Sequence, residues 1–118
     1  MTAFKQNLKI DQGASFSQLV TWMAGDPAVA VDLTGCSALA QVRAKIDDAT
    51  VLHEFSSATG GIAMGGATGT IELVMTDEET AAATWRAGVY DLLISFPSGS
   101  KRRLMYGSIT ITPGVTRA

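Results

Sequence analysis

The strongest constraint on this chain is a two-residue alternation of apolar and more polar side chains, which recurs in four segments. A period of two places alternate side chains on opposite faces of a strand, whereas a helix repeats about every 3.6 residues. The residues predicted to share an inward face are Ala38, Ala40, Val42, Ala44 and Ile46; Ile71, Leu73 and Met75; Tyr90, Leu92, Ile94 and Phe96; and Met105, Ile109 and Ile111. Each segment therefore predicts a strand with one buried face.

Weaker segments of the same kind bring the predicted total to about seven strands. They are Asn7–Ile10, Phe16–Met23 and Val51–Phe55. Turns such as Pro97-Ser98-Gly99 separate the strands at a spacing typical of an antiparallel sandwich. Gly107 interrupts the last strand and predicts a bulge or a point of close packing. The glycine-rich stretch Gly60–Gly69 contains no lysine and leads into a strand, so it predicts a hairpin and not a phosphate-binding loop.

One segment breaks the strand period and predicts a short helix. Thr76-Asp77-Glu78-Glu79 has the form of a capping box, in which the side chains of Thr76 and Glu79 each accept a hydrogen bond from the other residue's backbone N–H. The helix is predicted to run from Asp77 to about Trp85, to end at Gly88, and to cross from one sheet to the other. Capping explains the acidic cluster better than catalytic carboxylates or a calcium site, because carboxylates in a first helical turn favour the helix dipole.

Length and composition limit the classes of protein that this chain can belong to. It has 118 residues, the size of one domain, and we expect residues 1–118 to form a single β-sandwich domain. The net charge of -2 argues against nucleic-acid binding through bulk charge, because affinity for phosphates needs a basic surface, so we expect no direct contact with nucleic acid. No apolar run approaches the ~20 residues of a membrane helix, and the first residues lack a signal-peptide core. We therefore expect no membrane contact.

The residues that usually carry chemistry are scarce. Cys36 is the only cysteine, which excludes an internal disulfide and a cysteine-built metal site, and we expect it to be reduced and partly buried. His53 is the only histidine, and we expect it to be structural or exposed, with a Cys36–His53 nucleophile pair as a minor alternative. We expect Trp22 and Trp85 to be core residues. We predict that the protein is not an enzyme and uses no cofactor, metal or small-molecule substrate.

The faces predicted to point outward are unusually apolar. They carry Leu39, Leu52, Val74 and Leu93. If several of these residues lie on one sheet, they form a patch that requires a partner. The basic run of Lys101, Arg102 and Arg103 is opposite in charge to Asp77–Glu79, and the two segments predict a complementary rim around such a contact. The four apolar residues and the three basic ones form the candidate subunit interface.

Eight short segments combine turns and strands in a distinctive order along the chain. They are Phe4-Lys5-Gln6-Asn7-Leu8, Gly13-Ala14-Ser15-Phe16, Val31-Asp32-Leu33-Thr34-Gly35, Ala40-Gln41-Val42-Arg43, Gly69-Thr70-Ile71-Glu72-Leu73, Thr76-Asp77-Glu78-Glu79-Thr80, Gly88-Val89-Tyr90-Asp91-Leu92 and Tyr106-Gly107-Ser108-Ile109-Thr110-Ile111. This order resembles the small β-sandwich proteins of tailed-bacteriophage virions, which include the tail-collar and long-tail-fibre sandwich family and the N-terminal module of baseplate upper proteins. The resemblance implies an immunoglobulin-like antiparallel β-sandwich of about seven strands with one short helix. It carries over no catalytic residues.

From this resemblance we expect a structural virion protein, an assembly or adaptor subunit of the tail, collar or baseplate region, made in the host cytoplasm. Its expected partners are copies of itself in a ring and other virion proteins. One alternative is a head-associated decoration or completion protein. Another is a soluble carbohydrate- or peptide-binding module, in which Trp22, Trp85 and the two tyrosines line a groove.

Overall fold

The computed structural model describes residues 3–115, in which it contains eleven strands and one short α-helix. The strands are β1 (Phe4–Lys5), β2 (Leu8–Asp11), β3 (Phe16–Thr21), β4 (Met23–Ala24), β5 (Val29–Ala30), β6 (Ser37–Arg43), β7 (His53–Ser56), β8 (Ile62–Met64), β9 (Thr70–Met75), β10 (Ala87–Ser95) and β11 (Lys101–Thr112). The helix α1 (Asp77–Ala82) lies between β9 and β10. Seven of these strands have four or more residues. The fold is all-β with one short helix, as the sequence predicted.

The strands form one large sheet, one small sheet and a hairpin. The large sheet follows the order β1-β11-β10-β6-β7, with β2 also paired to β11, and the small sheet follows the order β3-β9-β8. Strands β4 and β5 pair only with each other. Both β1 and β2 run parallel to β11, so the large sheet is mixed and the expectation of antiparallel pairing throughout is corrected there. These two strands are not joined to β11 by a hairpin, so a tight turn does not impose antiparallel pairing on them.

A single hydrophobic core receives side chains from both the large and the small sheet. Most of the inward-facing residues that the alternation predicted are buried, namely Ala38, Ala40, Val42, Ile71, Leu73, Met75, Tyr90, Leu92, Ile94, Met105, Ile109 and Ile111. The rings of Phe16 in the small sheet and Phe55 in the large sheet contact each other across this core, with centroids 6.4 Å apart. Phe96 lies just beyond β10, where its ring contacts that of Trp22.

The alternation fails at the end of β6. Ala44 and Ile46 were predicted to face the core, but both are exposed, and Ile46 retains 88% of its accessible surface. The reason is that β6 ends at Arg43 and the chain turns, with the Asp48 N–H donating to the Lys45 carbonyl. Arg43 stabilises this turn by donating to the Asp48 carbonyl at 2.8 Å.

The bulge in the last strand lies at Leu104 and not at Gly107. Leu92 pairs with Met105 and Leu93 pairs with Arg103, so Leu104 is an extra residue in β11. Leu104 and Met105 are both buried as a result, and the inward and outward positions of β11 exchange at this point. Gly107 is instead a point of close packing, because a Cβ there would collide with the Gln6 carbonyl.

The helix forms at the predicted capping box. The Glu79 N–H donates to the Thr76 hydroxyl at 3.1 Å, and the Thr76 N–H donates to the Glu79 carboxylate at 2.9 Å. As predicted, α1 connects the small sheet to the large one. The predicted end was wrong: the helix stops at Ala82, and Gly88 belongs to β10, where a Cβ would lie 2.8 Å from the Arg43 carbonyl oxygen.

The Gly60–Gly69 stretch is part of a hairpin, as predicted. Strands β8 and β9 pair antiparallel, and a single 3-10 turn from Gly66 to Thr68 connects them. Gly69 closes the turn with a φ of 70°, and a Cβ there would lie 2.8 Å from the Trp22 carbonyl oxygen. Both the positive φ and the lack of space favour glycine at this position.

Candidate subunit interface

The outer face of the large sheet brings together two of the predicted interface leucines. Leu39 on β6 and Leu93 on β10 are direct cross-strand partners, and Arg103 on β11 lies opposite Leu93 on the other side. Both leucines are only partly buried, whereas Leu92 and Ile94, the strand neighbours of Leu93, are completely buried. Cross-strand apolar pairs stabilise a sheet, and part of the surface of both leucines stays exposed. We call Leu39 and Leu93 the leucine pair.

A row of polar side chains runs beside the leucine pair. In the register of the sheet, Gln41 lies between Glu54 and Asp91. The Gln41 amide donates to the Glu54 carboxylate at 3.0 Å, and Arg43 donates to the Gln41 side-chain oxygen at 2.8 Å. These hydrogen bonds link side chains of β6 and β7 next to the apolar pair.

Arg103 belongs to the same surface through its own contacts. Its Nε atom lies 3.4 Å from a carboxylate oxygen of Asp91, and its guanidinium carbon lies 4.3 Å from the centre of the Tyr106 ring. The bulge at Leu104 makes this stacking possible, because it places Arg103 and Tyr106 on the same side of β11 although they are three residues apart. Exposed ion pairs contribute little to stability, so these contacts chiefly orient Arg103.

A depression of about 410 Å³ opens on this outer face. It is lined by polar, charged and a few apolar residues: Lys5, Asn7, Gln41, Arg43, Ile46, Val89, Tyr90, Asp91, Arg103, Tyr106, Gly107 and Ser108. Three cationic side chains face one carboxylate here, so the depression is positive on balance although the whole chain is negative. The sequence did not reveal this site, because its residues come from four strands and two turns that only the sheet register brings together.

The other predicted interface residues lie elsewhere. Val74 is on β9 of the small sheet, so it does not share a surface with the leucine pair. Leu52 was predicted to point outward, but it is partly buried and packs against the hydrophobic core. Lys101 and Arg102 are exposed at the beginning of β11. The predicted patch of four apolar residues is therefore reduced to the leucine pair on this face.

The acidic turn at the start of α1 is exposed, as a complementary rim requires. Asp77, Glu78 and Glu79 all lie in the first helical turn, and Glu79 is engaged in the capping box. The capping explanation of this cluster is confirmed by both reciprocal hydrogen bonds. Contact between this turn and the basic run of another copy stays a prediction.

The surroundings of Cys36 and His53 favour a structural role for both residues. Cys36 is partly buried against the core, and burial together with the Asp32 carboxylate raises the pKa of its thiol. A raised pKa reduces the thiolate population that a nucleophile needs. His53 packs edge-on against Phe55 with ring centroids 4.6 Å apart. Burial lowers the pKa of His53, and the carboxylates of Glu79 and Glu54 oppose that effect.

The aromatic residues proposed for an alternative binding groove do not form one surface. Trp22 is buried in the core, and Trp85 packs partly buried against it, as predicted for core residues. The Trp22 indole N–H has no hydrogen-bond partner among the described residues. Tyr90 is buried, and its hydroxyl donates to the Gln6 carbonyl. Burial raises the pKa of this hydroxyl. Tyr106 alone among these four presents its ring to the depression together with a cationic side chain.

Within residues 3–115, no helix is long and apolar enough to cross a membrane. In the same range, no three His, Cys, Asp or Glu side chains are grouped so that they could hold a metal ion. Neither a protein-family model nor a curated protein sequence matches the chain.

Proposed function

We propose that this chain is a structural virion protein of a tailed bacteriophage, an assembly or adaptor subunit of the tail, collar or baseplate region. The proposal is supported by the order of its turn and strand segments, which resembles that of small β-sandwich virion proteins. We also propose that the two larger sheets form an immunoglobulin-like sandwich. The support for this is the single core that they share and the helix that connects them.

The observation that carries the assembly function is the leucine pair with its ordered polar neighbours. Leu39 and Leu93 lie opposite each other, flanked by Gln41 on one side and by Arg103 on the other. An apolar centre flanked by polar side chains has the layout of a protein–protein interface. Burial of a whole leucine side chain stabilises a contact by about 1.5–3 kcal/mol, so the still exposed parts of two leucines contribute less than twice that amount.

The surface is too small to hold a partner alone. A stable contact between two proteins buries roughly 1,600 Å² in total, which requires many more residues than the leucine pair. The basic run Lys101–Arg103 and the depression extend the surface along β11, and a partner of negative charge would complement them. In a closed ring each copy uses two different surfaces, so this face would contact a different face of the next copy or another virion protein.

A second candidate function is binding of a carbohydrate or peptide in the depression. What favours it is the Tyr106 ring beside Gln41, Arg43 and Asp91, because an aromatic face with hydrogen-bonding groups is suited to such ligands. The volume lies within the range of small-molecule sites, roughly 300–1,000 Å³. Titration with oligosaccharides and acidic peptides, with Tyr106→Ala as the variant, separates this function from assembly.

The assembly function is tested in particles purified from cells that make the protein. We expect the chain at a fixed copy number per particle, measured by quantitative mass spectrometry, and we expect it to resist removal by washing. Density for a repeated copy in the tail, collar or baseplate would identify its position. If the protein is absent from particles or present in trace amounts, the proposed function is wrong.

A further inference from the structure

The small sheet has an open edge at β3, where no second strand of the described part of the chain pairs with it. Strand β3 pairs with β9 on one side only. The backbone N–H of Trp22, just after β3, donates to Gly69 and its carbonyl accepts from Val31, so the hairpin β4–β5 continues on the β9 side. The opposite side of β3 therefore has no strand partner within residues 3–115.

The hydrogen-bonding pattern identifies the backbone groups on the open side. Residues of an antiparallel pair alternate between bonding the partner and pointing away from it. Because Trp22 bonds Gly69, residues 16, 18 and 20 bond β9, and Ser17, Leu19 and Thr21 direct their backbone groups outward. The Leu19 carbonyl accepts a long hydrogen bond of 3.3 Å from the Gln18 side chain, which reaches it around the edge.

Strand β3 differs from the other sheet edges by having no feature that prevents pairing. Natural proteins protect open edges with charged residues, proline or very short strands. Strand β7 carries Glu54, β1 carries Lys5, β2 carries Lys9 and Asp11, and β8 has only three residues. The sequence of β3 is Phe-Ser-Gln-Leu-Val-Thr, six residues without a charge, a proline or a glycine, and Leu19 at its centre is 57% exposed.

We propose that β3 pairs antiparallel with β3 of a second copy, with Leu19 opposite Leu19 on a two-fold axis. In this register Ser17 of each copy lies opposite Thr21 of the other, and every outward N–H of the three residues finds a carbonyl. The contact is self-complementary, which a two-fold interface requires. The small sheets of the two copies then form one continuous sheet. The side chains on its outer surface at the junction are Ser17, Leu19 and Thr21, so no like charges meet there.

We expect β3 to pair with β3 of the second copy and not with another edge strand of that copy, because the other edge strands are charged or short. A single strand pair buries far less than the roughly 1,600 Å² of a standard interface, so the dimer should be weak when the protein is dilute. This inference deepens the proposed function, and it rests on that function for taking copies of the chain as partners. At the local concentration of an assembled particle, a weak contact of this kind is occupied.

The test is disulfide trapping in a Cys36→Ala background, which leaves no native thiol. Cα atoms of a hydrogen-bonded antiparallel pair lie about 5.5 Å apart, within the range that a disulfide spans. With oxidised glutathione, Leu19→Cys should form linked dimers roughly tenfold faster than the control Val29→Cys. The control residue is exposed to a similar degree, 62%, on a strand outside both larger sheets. Far-UV circular dichroism checks that each variant is folded.

The register is tested by mixing two further variants. Ser17→Cys and Thr21→Cys should link to each other much faster than either links to itself. Equal rates for Leu19→Cys and Val29→Cys would overturn the inference, and so would fast self-linkage of Ser17→Cys, which indicates parallel pairing or an antiparallel register centred on Ser17. These results are independent of whether the protein is found in particles, so failure of this inference and failure of the proposed function are distinguishable.

Discussion

The outer face of the large sheet and the open edge of the small sheet offer a partner different kinds of contact. On the large sheet, the leucine pair lies beside side chains that form hydrogen bonds and an ion pair, such as Gln41 and Arg103. On the small sheet, β3 offers unpaired backbone groups and one exposed leucine. Side chains read the chemistry of a partner, whereas a strand edge accepts many sequences. We therefore expect the large sheet to determine which partner binds, and β3 to add strength.

If the leucine pair serves a partner and not the core, Leu93 contributes much less to folding than its neighbour Ile94. Ile94→Ala should destabilise the protein by about 2–4 kcal/mol, because it opens a cavity in the core, where Ile94 has no exposed surface. Leu93→Ala should cost much less, since Leu93 is partly exposed on the other face. Urea denaturation of the two variants measures the difference. Equal losses would show that Leu93 is a core residue and that the outer face is wrongly assigned.

Thr80 is the residue by which the helix supports the start of β3. Its buried hydroxyl accepts from the Gly13 N–H at 3.0 Å and donates to the Ala14 carbonyl at 2.9 Å. Thr80→Val should destabilise the fold by about 1–3 kcal/mol, because two backbone groups lose their partner in a partly buried place. The control Thr80→Ser keeps the hydroxyl and should lose less. Thr80→Val should also slow cross-linking through β3. Equal losses of stability in Thr80→Val and Thr80→Ser would show that the hydroxyl does not support the start of β3.

The basic run should act on assembly through charge, and its effect should therefore depend on salt. Arg102→Glu should weaken assembly in low salt and have a smaller effect in high salt, because exposed charges separated by more than the Debye length, about 8 Å at 0.15 M, are screened. Arg103→Glu should weaken assembly further, since it also places a second carboxylate beside Asp91. Incorporation into particles at two salt concentrations measures both effects. Cross-linking through β3 should not change, and a change there would show that the two surfaces are coupled.

The substitution of His53 is expected to have the smallest effect, which is on the pH dependence of stability. Its pKa is lowered by burial, so the unfolded chain binds the proton more readily than the folded one. The stability that depends on neutral His53 is therefore present above the ordinary histidine pKa, near 6.5, and decreases as the pH falls below it. His53→Gln should flatten the rise in melting temperature between about pH 5 and 7. An unchanged slope would show that burial of His53 does not contribute to the pH dependence of stability.

The inward faces of the strands and the helix cap follow from the sequence because both depend on local spacing. The alternation around Leu73 and Ile94 and the Thr76–Glu79 capping box are each contained within a few residues. The separation of Val74 from the leucine pair could not be predicted, because the sequence does not state which strands share a sheet. The bulge at Leu104 also lacks a local signal, since apolar residues at 104 and 105 fit either face.

The parallel pairing of β1 and β2 with β11 joins residues about a hundred positions apart in the sequence. No turn connects them, so neither direction nor register is encoded locally. The open edge of β3 could be recognised in the sequence only as an uncharged strand. That no strand pairs with its second side in the described residues is a property of the assembled sheets.

The most direct test of the assembly account is the copy number of Leu39→Asp and Leu93→Asp in purified particles, measured beside the control Val29→Asp. All three residues are wholly or partly accessible to solvent, and each change introduces a carboxylate at that position. The melting temperature of each variant shows whether it is folded. We expect the control to enter particles at the normal copy number and the two leucine variants to be folded but at least roughly tenfold depleted, since a buried unpaired charge is costly. Normal incorporation of Leu39→Asp and Leu93→Asp would show that the outer face of the large sheet is not a subunit interface.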